Sequence, residues 1–301
     1  MHGQQSYDLQ LSKLQETQKR GDEMLSLAEQ FDDDAWRLIG YRSRGIANFP
    51  LGNYEQCVSD LVSGIDLLGR LGDSVAEDMV ADDLYVAMQS YGAMAAVYLE
   101  EADLTRSLYQ SATQRAVQIR QPYSRAFASV ARNYCRMLQG EYDGLEQDFI
   151  DHIDLSEKNE IPYFYFTLRV FFAHYKALRG EPDAAQNLSD AIEGYRLTKS
   201  IVYQPTFKHW EGLAWLAQGN LEKAREANVW SIDAAVEYGM YHMFAEYYGL
   251  KAVLDHKGNK PDEAQQAMLT AKKWASDQNA ALCSKLNTQL WENYGISNSV
   301  S

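Results

Sequence analysis

Four segments of this chain repeat one turn-then-helix phrase at nearly constant spacing. They are Gly140-Glu141-Tyr142-Asp143, Gly180-Glu181-Pro182-Asp183-Ala184-Ala185, Gly219-Asn220-Leu221-Glu222-Lys223-Ala224 and Gly258-Asn259-Lys260-Pro261-Asp262-Glu263-Ala264. Their glycines step by 40, 39 and 39 residues. A fixed period of this size is the mark of stacked supersecondary units, each burying its apolar face only against its neighbours. An earlier copy, Gly52-Asn53-Tyr54-Glu55-Gln56-Cys57, has the same shape, and Ala102-Asp103-Leu104-Thr105-Arg106-Ser107 is a degraded copy without its glycine. The longer interval between these two predicts an extension around Asp73 to Asp83.

Local chemistry explains the phrase. Glycine permits the left-handed conformation that closes one helix, and the Asn, Asp or Glu behind it favours the start of the next. Ala185, Ala224 and Ala264 then fall about one turn into the second helix, where a small residue lets two helices approach. Pro122, Pro162 and Pro205 recur about forty residues apart before amphipathic segments, as proline does in a helix's first turn. The unit is helix, short turn, helix. The pattern predicts a leading helix over about 5–30, with Leu11, Leu14, Met24, Leu25 and Ala28 at helical spacing. Hairpins follow at about 34–71, 77–120, 122–157, 162–198, 204–238 and 240–277, and a capping helix at 279–293, all in a single all-α solenoid domain over 1–301. The leading helix has no partner in the pattern: it is either a cap or the edge of a longer solenoid.

Composition agrees with a folded helical chain. Hydrophobic residues make up 46% and charged residues 23%, prolines number 6, and β-branched runs are nearly absent. The formal charge of −14 argues against nucleic acid, whose phosphates supply most of a protein's unspecific affinity for it. Cys57, Cys135 and Cys283 are odd in number and far apart, with neither a disulfide framework nor zinc spacing, so a reducing cytoplasm is expected. No apolar run reaches the length of a membrane span, and Met1 to Gln10 carries no apolar signal core, so no membrane partner or export is expected.

The residues of the repeat resemble the tetratricopeptide (TPR) consensus. On its spacing Gly45, Gly212, Ala95 and Ala173 fall on the small position of the first helix, Tyr98 and Trp215 on the aromatic position, and Ala185, Ala224 and Ala264 on the small position of the second. Asn133 and Lys176 depart from it, so the period carries the resemblance rather than any one copy. The period exceeds the usual 34 residues. With Asp190-Ala191-Ile192-Glu193-Gly194-Tyr195-Arg196 and Trp210-Glu211-Gly212-Leu213-Ala214, it is similar to the C-terminal helical repeats of large bacterial signal-transduction ATPases, in which a cyclase or DNA-binding domain precedes them, and to the related sugar-sensing domain of the maltose-system activator. The resemblance implies a right-handed superhelix of about six hairpins plus terminal helices. It also implies a regulatory, non-catalytic module of bacterial origin, possible linkage to an ATPase, and no catalytic residues.

Chemistry-bearing motifs are absent: no phosphate-binding glycine loop, dinucleotide fingerprint, zinc-protease helix or nucleophile elbow occurs. His242 and Glu246 stand one helical turn apart, but two groups without a third make no metal site, and no cofactor is expected. The repeat register aims Arg42, Gln89, Tyr134, Thr167, His174, His209 and Glu246 into the concave groove of such a solenoid. These are the candidate binding residues; for the histidines the alternative is a satisfied place in the packed interior or plain solvation. The aromatic runs Tyr163-Phe164-Tyr165-Phe166 with Phe171, Phe172 and Tyr175, and Tyr241 to Tyr248, belong to core packing or to a partner contact. Asp32-Asp33-Asp34 reads as a solvated helix start.

Two functions fit. One is an interaction scaffold that lays a protein or peptide in the groove. The other is a sensor whose groove holds a small effector and whose repeat packing an attached ATPase reads out. Groove shape discriminates: a pocket closed by bulky side chains favours the effector, an open groove the peptide. An enzyme lacking any motif would instead need convergent groups of perturbed pKa in a cleft.

Overall fold

A computed structural model describes residues 13–72 and 83–296. The extension expected around Asp73 to Asp83, the start of the hairpin at 77 and residues 5–12 of the leading helix fall wholly or mostly outside them. The described residues are all-helical, with no strand. The helices are α1 Leu14–Phe31, α2 Asp34–Leu51, α3 Tyr54–Leu71, α4 Leu84–Ala96, α5 Ala102–Gln118, α6 Pro122–Gln139 and α7 Leu145–Lys158. They continue as α8 Pro162–Leu178, α9 Ala184–Arg196, α10 Gln204–Ala217, α11 Leu221–Tyr238, α12 Phe244–Lys257, α13 Pro261–Asp277 and α14 Ala281–Asn293. No helix among the described residues is long and apolar enough to cross a membrane.

Consecutive helices pack as pairs, and each even-numbered helix from α2 to α14 also packs on the next even one. The even helices therefore form an inner layer and α3, α5, α7, α9, α11 and α13 an outer one. Glycine sets the spacing inside two pairs. A Cβ at Gly45 would lie 2.5 Å from the Leu61 side chain, and one at Gly212 would lie 3.0 Å from Leu250 and 3.3 Å from the Ala224 carbonyl oxygen. Ala185 and Ala224 are fully buried where the paired helices meet.

The turns close as the repeated phrase requires, with one exception. Gly52, Gly140, Gly180 and Gly219 adopt φ between +70° and +81°. After each, the next backbone N–H reaches back to the carbonyl five residues earlier: Asn53 to Asn48 at 2.9 Å, Glu141 to Arg136 at 2.8 Å, Asn220 to Trp215 at 2.9 Å. Gly258 departs from this. Its φ is −84°, and Asn259 takes the left-handed place at φ 55°, so the donating role falls to Lys260, whose N–H bonds the Asp255 carbonyl at 3.0 Å. In the copy without glycine, Glu100 accepts the left-handed conformation at φ 56°. Asp33 of the acidic run caps α2, accepting from the Ala35 and Trp36 N–H groups.

Contacts between residues nearly two hundred positions apart close the array on itself. Pro50, in the last turn of α2, has a carbonyl that no N–H of its own helix can reach. It accepts from the N–H groups of Tyr241 and His242, in the α11–α12 turn, at 2.7 and 3.1 Å. Leu282, in the first turn of α14, likewise has an orphan N–H, which donates to the Tyr98 carbonyl at 3.1 Å. Around these bonds the Phe49 ring lies 5.1 Å from that of His242, Tyr54 donates its hydroxyl to the His242 carbonyl, and Asn279 bonds Glu55. The Gln278 side chain fills the space above Gly52 and donates to the Tyr241 carbonyl at 2.8 Å. The last two hairpins thus return to the first two, and the inner face becomes an interior. Tyr54→Phe is expected to lower unfolding free energy by about 1–2 kcal/mol, since one buried acceptor loses its donor. Urea unfolding with an unchanged m-value is the check.

Both aromatic runs pack inward. Phe164, Phe171 and Tyr175 are buried, Tyr163, Phe166 and Phe172 half-buried, and none of the rings from Tyr241 to Tyr248 is exposed. Tyr54 stacks on Tyr98 at 4.5 Å, the Tyr98 and Tyr134 hydroxyls bond each other, and Tyr134 continues to Phe171 and Trp210 at 6.0 and 6.2 Å. This chain of rings fills much of the space that an open solenoid would leave to water.

Candidate functional site

Beside the ring chain lies a chamber of about 1000 Å³ that is half open to solvent, with the exposed Glu100, Leu178 and Lys285 at its rim. Its walls are the C-terminal halves of α6, α8 and α10, the start of α12, the α4–α5 turn with the start of α5, and one face of α14. The α14 face follows helical spacing through Leu282, Leu286, Leu290 and Tyr294. The wall is largely apolar, with Trp210 and Tyr134 as its main rings. Around it stand charged residues joined to one another: Arg106 to Glu141 at 2.8 Å and Lys285 to Glu100 at 2.9 Å.

Four of the seven candidate residues meet here. Tyr134, His174, His209 and Glu246 line the chamber; Arg42, Gln89 and Thr167 do not. Thr167 is buried and turns its hydroxyl back to the Tyr163 carbonyl at 2.7 Å, Arg42 is buried in α2, and Gln89 is half-buried on α4. His242 and Glu246 do not converge on a metal: the His242 ring faces Thr206 Oγ1 at 3.1 Å, while Glu246 faces the chamber.

Burial sets the chemistry of the chamber's polar groups. His174 lies flat on Trp210, with ring centroids 4.1 Å apart, and desolvation followed by repulsion from His209 brings its pKa down to about 3. Desolvation alone brings His209 to about 3. Both imidazoles are therefore neutral near pH 7, and the Nδ1 of each has no hydrogen-bond partner. Glu246 sits in the first turn of α12, where the helix field favours a carboxylate, yet burial dominates and raises it to about 7. Neither Glu246 oxygen has a hydrogen-bond partner of ordinary geometry; the nearest groups are the Cys283 thiol and its own backbone N–H, which hold the acid weakly.

Several wall residues escaped the sequence reading. Asn287, Leu286, Leu290, Tyr294 and Lys285 lie on α14, a capping helix that the repeat register did not place in the groove. Their spacing along one helix face was the available signal. Trp210, one residue beyond His209, carries the stacked ring and was visible only as part of a phrase.

Fold and chamber together define the class: an all-α array of helical pairs whose far-apart segments meet beside a half-open chamber. No protein-family model matches this chain, and no curated protein matches it significantly.

Proposed function

We propose that this chain is a non-catalytic, TPR-like sensor that takes a small ligand into the chamber. The observation that carries the reading is the closure of the array through Pro50 with Tyr241 and His242, and through Tyr98 with Leu282. A groove lined by inner helices becomes a half-open cavity of about 1000 Å³, the upper size of ordinary small-molecule sites and largely apolar with a few buried polar groups. A peptide lying along the concave face would first have to displace α14. A ligand touching α6, α8, α10 and α14 at once ties the last helix to the middle of the array and so favours the closed form. Only that differential affinity can transmit a signal. On this reading the hairpins are about six copies in a right-handed superhelix, and the readout belongs to an attached regulatory domain such as the ATPase that the sequence resemblance implies.

The test is recovery of metabolites. The purified chain, incubated with a small-molecule extract of its source and desalted, is expected to carry a compound below about 1 kDa in native mass spectrometry, in line with sites of this volume. Leu213→Trp, which fills the chamber from α10, is expected to lose it at least tenfold. Recovery that ignores Leu213→Trp, or capture of a polypeptide in its place, would sink the reading.

A motif-free enzyme is the second reading, favoured by Glu246 alone, whose pKa suits a general acid. The nucleophile beside Glu246 is Cys283, which is fully buried, does not line the chamber and is held as a thiol by burial, and burial likewise leaves His174 and His209 unprotonated near pH 7. Turnover of the recovered compound would decide in its favour.

A further inference from the structure

Glu246 is only 4% exposed and belongs to the chamber wall; both its oxygens are covered, so a ligand meets them by a turn of the side chain, and neither has a hydrogen-bond donor of ordinary geometry. A buried acid in a folded protein is normally matched by a cation or by several donors. Here the protein supplies no cation, and only the Cys283 thiol and Glu246's own backbone N–H as weak donors. Three carboxylates and two cations line the chamber. Arg106 is joined to Glu141 and Lys285 to Glu100, which leaves Glu246 as the one negative charge in excess. Among the groups that feel its charge are Tyr54, Tyr98, Tyr134 and Cys283, none of them a cation. Also in the wall are Tyr134, which feels the charge of Glu246, Trp210, one face of which His174 covers, and apolar side chains of α14 suited to a hydrocarbon body.

We propose that the chamber's ligand is a small organic amine, with its ammonium against the Glu246 carboxylate and its apolar body between Trp210 and the Leu286–Leu290 face of α14. The inference rests on the small-ligand reading above and specifies its chemistry. An ammonium gives Glu246 the donors it lacks, and the desolvated site strengthens the contact. A neutral ligand would leave the carboxylate unmatched, and an anion would add a like charge. The raised pKa of Glu246 has the same origin, an acid buried without a counter-charge.

Three isosteric probes test this on the full chain at about pH 8, where Glu246 is ionised: 2-phenylethylamine, 2-phenylethanol and phenylacetate, with affinities read by calorimetry. The amine is expected to bind at least tenfold tighter than the alcohol, and phenylacetate weakest. Glu246→Gln keeps the shape, removes the charge and is expected to bring the amine to the alcohol's affinity. Leu286→Trp, which fills the chamber from α14, is expected to lose all three. Equal affinities for amine and alcohol, tighter binding of phenylacetate, or an amine preference that survives Glu246→Gln overturns the inference. If the alcohol binds without any amine preference and is lost in Leu286→Trp, the chamber stands as a small-molecule site and only the amine falls. Binding that survives Leu286→Trp overturns both.

Discussion

Between about pH 6.5 and pH 4 the chain is expected to lose most of its stability, because three buried histidines must acquire protons. Folding depresses His174 and His209 to about 3 and His242 to about 4, from an ordinary 6.5, in each case first through burial. A base whose folded pKa is depressed contributes stability above its unfolded pKa and loses it as pH falls toward the folded value. At about 1.4 kcal/mol per unit, each histidine costs roughly 2 kcal/mol by pH 5, or roughly 6 for the three if they act independently. Glu246 works the other way. Its folded pKa is raised, so it destabilises the fold at high pH and returns roughly 3 kcal/mol as pH falls from about 7 to its ordinary 4.5. The expected curve is therefore flat or slightly rising from pH 8 to 6.5 and falls steeply below about pH 5.5, a net loss comparable with a domain's whole stability by pH 4. Asp148 and Asp255, held below the ordinary carboxylate range by their arginine and lysine partners, extend the loss only further into acid. Urea denaturation at several pH values measures the curve, and His209→Gln is expected to remove about a third of the acid limb. Constant stability from pH 6.5 to 4.5 would mean that the imidazoles are hydrated.

The second large effect concerns α14, which forms one wall of the chamber. It docks on α12 where Gly249 leaves room for Asn287: a Cβ at Gly249 would lie 1.8 Å from Asn287 Oδ1 and 2.5 Å from Cγ. Asn287 uses that position to donate to the Ala245 carbonyl at 2.9 Å, and Trp291, 2% exposed, donates its indole N–H to the Gly249 carbonyl at 3.1 Å. Gly249→Val pushes Asn287 off its acceptor and lifts Trp291 from its pocket. Loss of a buried tryptophan's packing alone is worth about 3–5 kcal/mol. In a stacked array such damage stays local, so α14 is expected to detach while the preceding helices hold. Hydrogen exchange should show loss of protection over 281–293 with far less change in α6 to α10, accompanied by loss of probe binding. Ser284→Ala, on the exposed side of the same helix, is expected to stay within about 0.5 kcal/mol of the parent. Global unfolding by Gly249→Val would show instead that the ring folds as one unit held shut by α14.

The inner layer was largely legible beforehand, its filling was not. Tyr134, His174, His209 and Glu246 were placed on the concave side by register, because the same position of successive first helices faces the same way. Arg42, Gln89 and Thr167 share that register and miss the chamber. Facing inward is a property of one helix, whereas lining a cavity depends on which rings, here Tyr54, Tyr98 and Tyr134, occupy the centre. The buried state of the histidines also had no local signal, since nothing near His174 in sequence states that Trp210 will stack on it.

What the sequence by itself determined is the local part: where helices begin and end, and that they alternate in pairs. Those features depend on residues a few positions apart, on glycines or Asn259 taking left-handed φ, on Pro122 and Pro162 opening helices, and on Ala185 and Ala224 leaving room for a neighbour. Only the tertiary structure decided that the array closes. Closure sums small rotations between successive hairpins, each set by side-chain packing, until Pro50 meets Tyr241 and Tyr98 meets Leu282. No single repeat contains that sum. The chamber, the neutral histidines and the unmatched Glu246 all follow from it, because the meeting of distant helices is what buries these side chains.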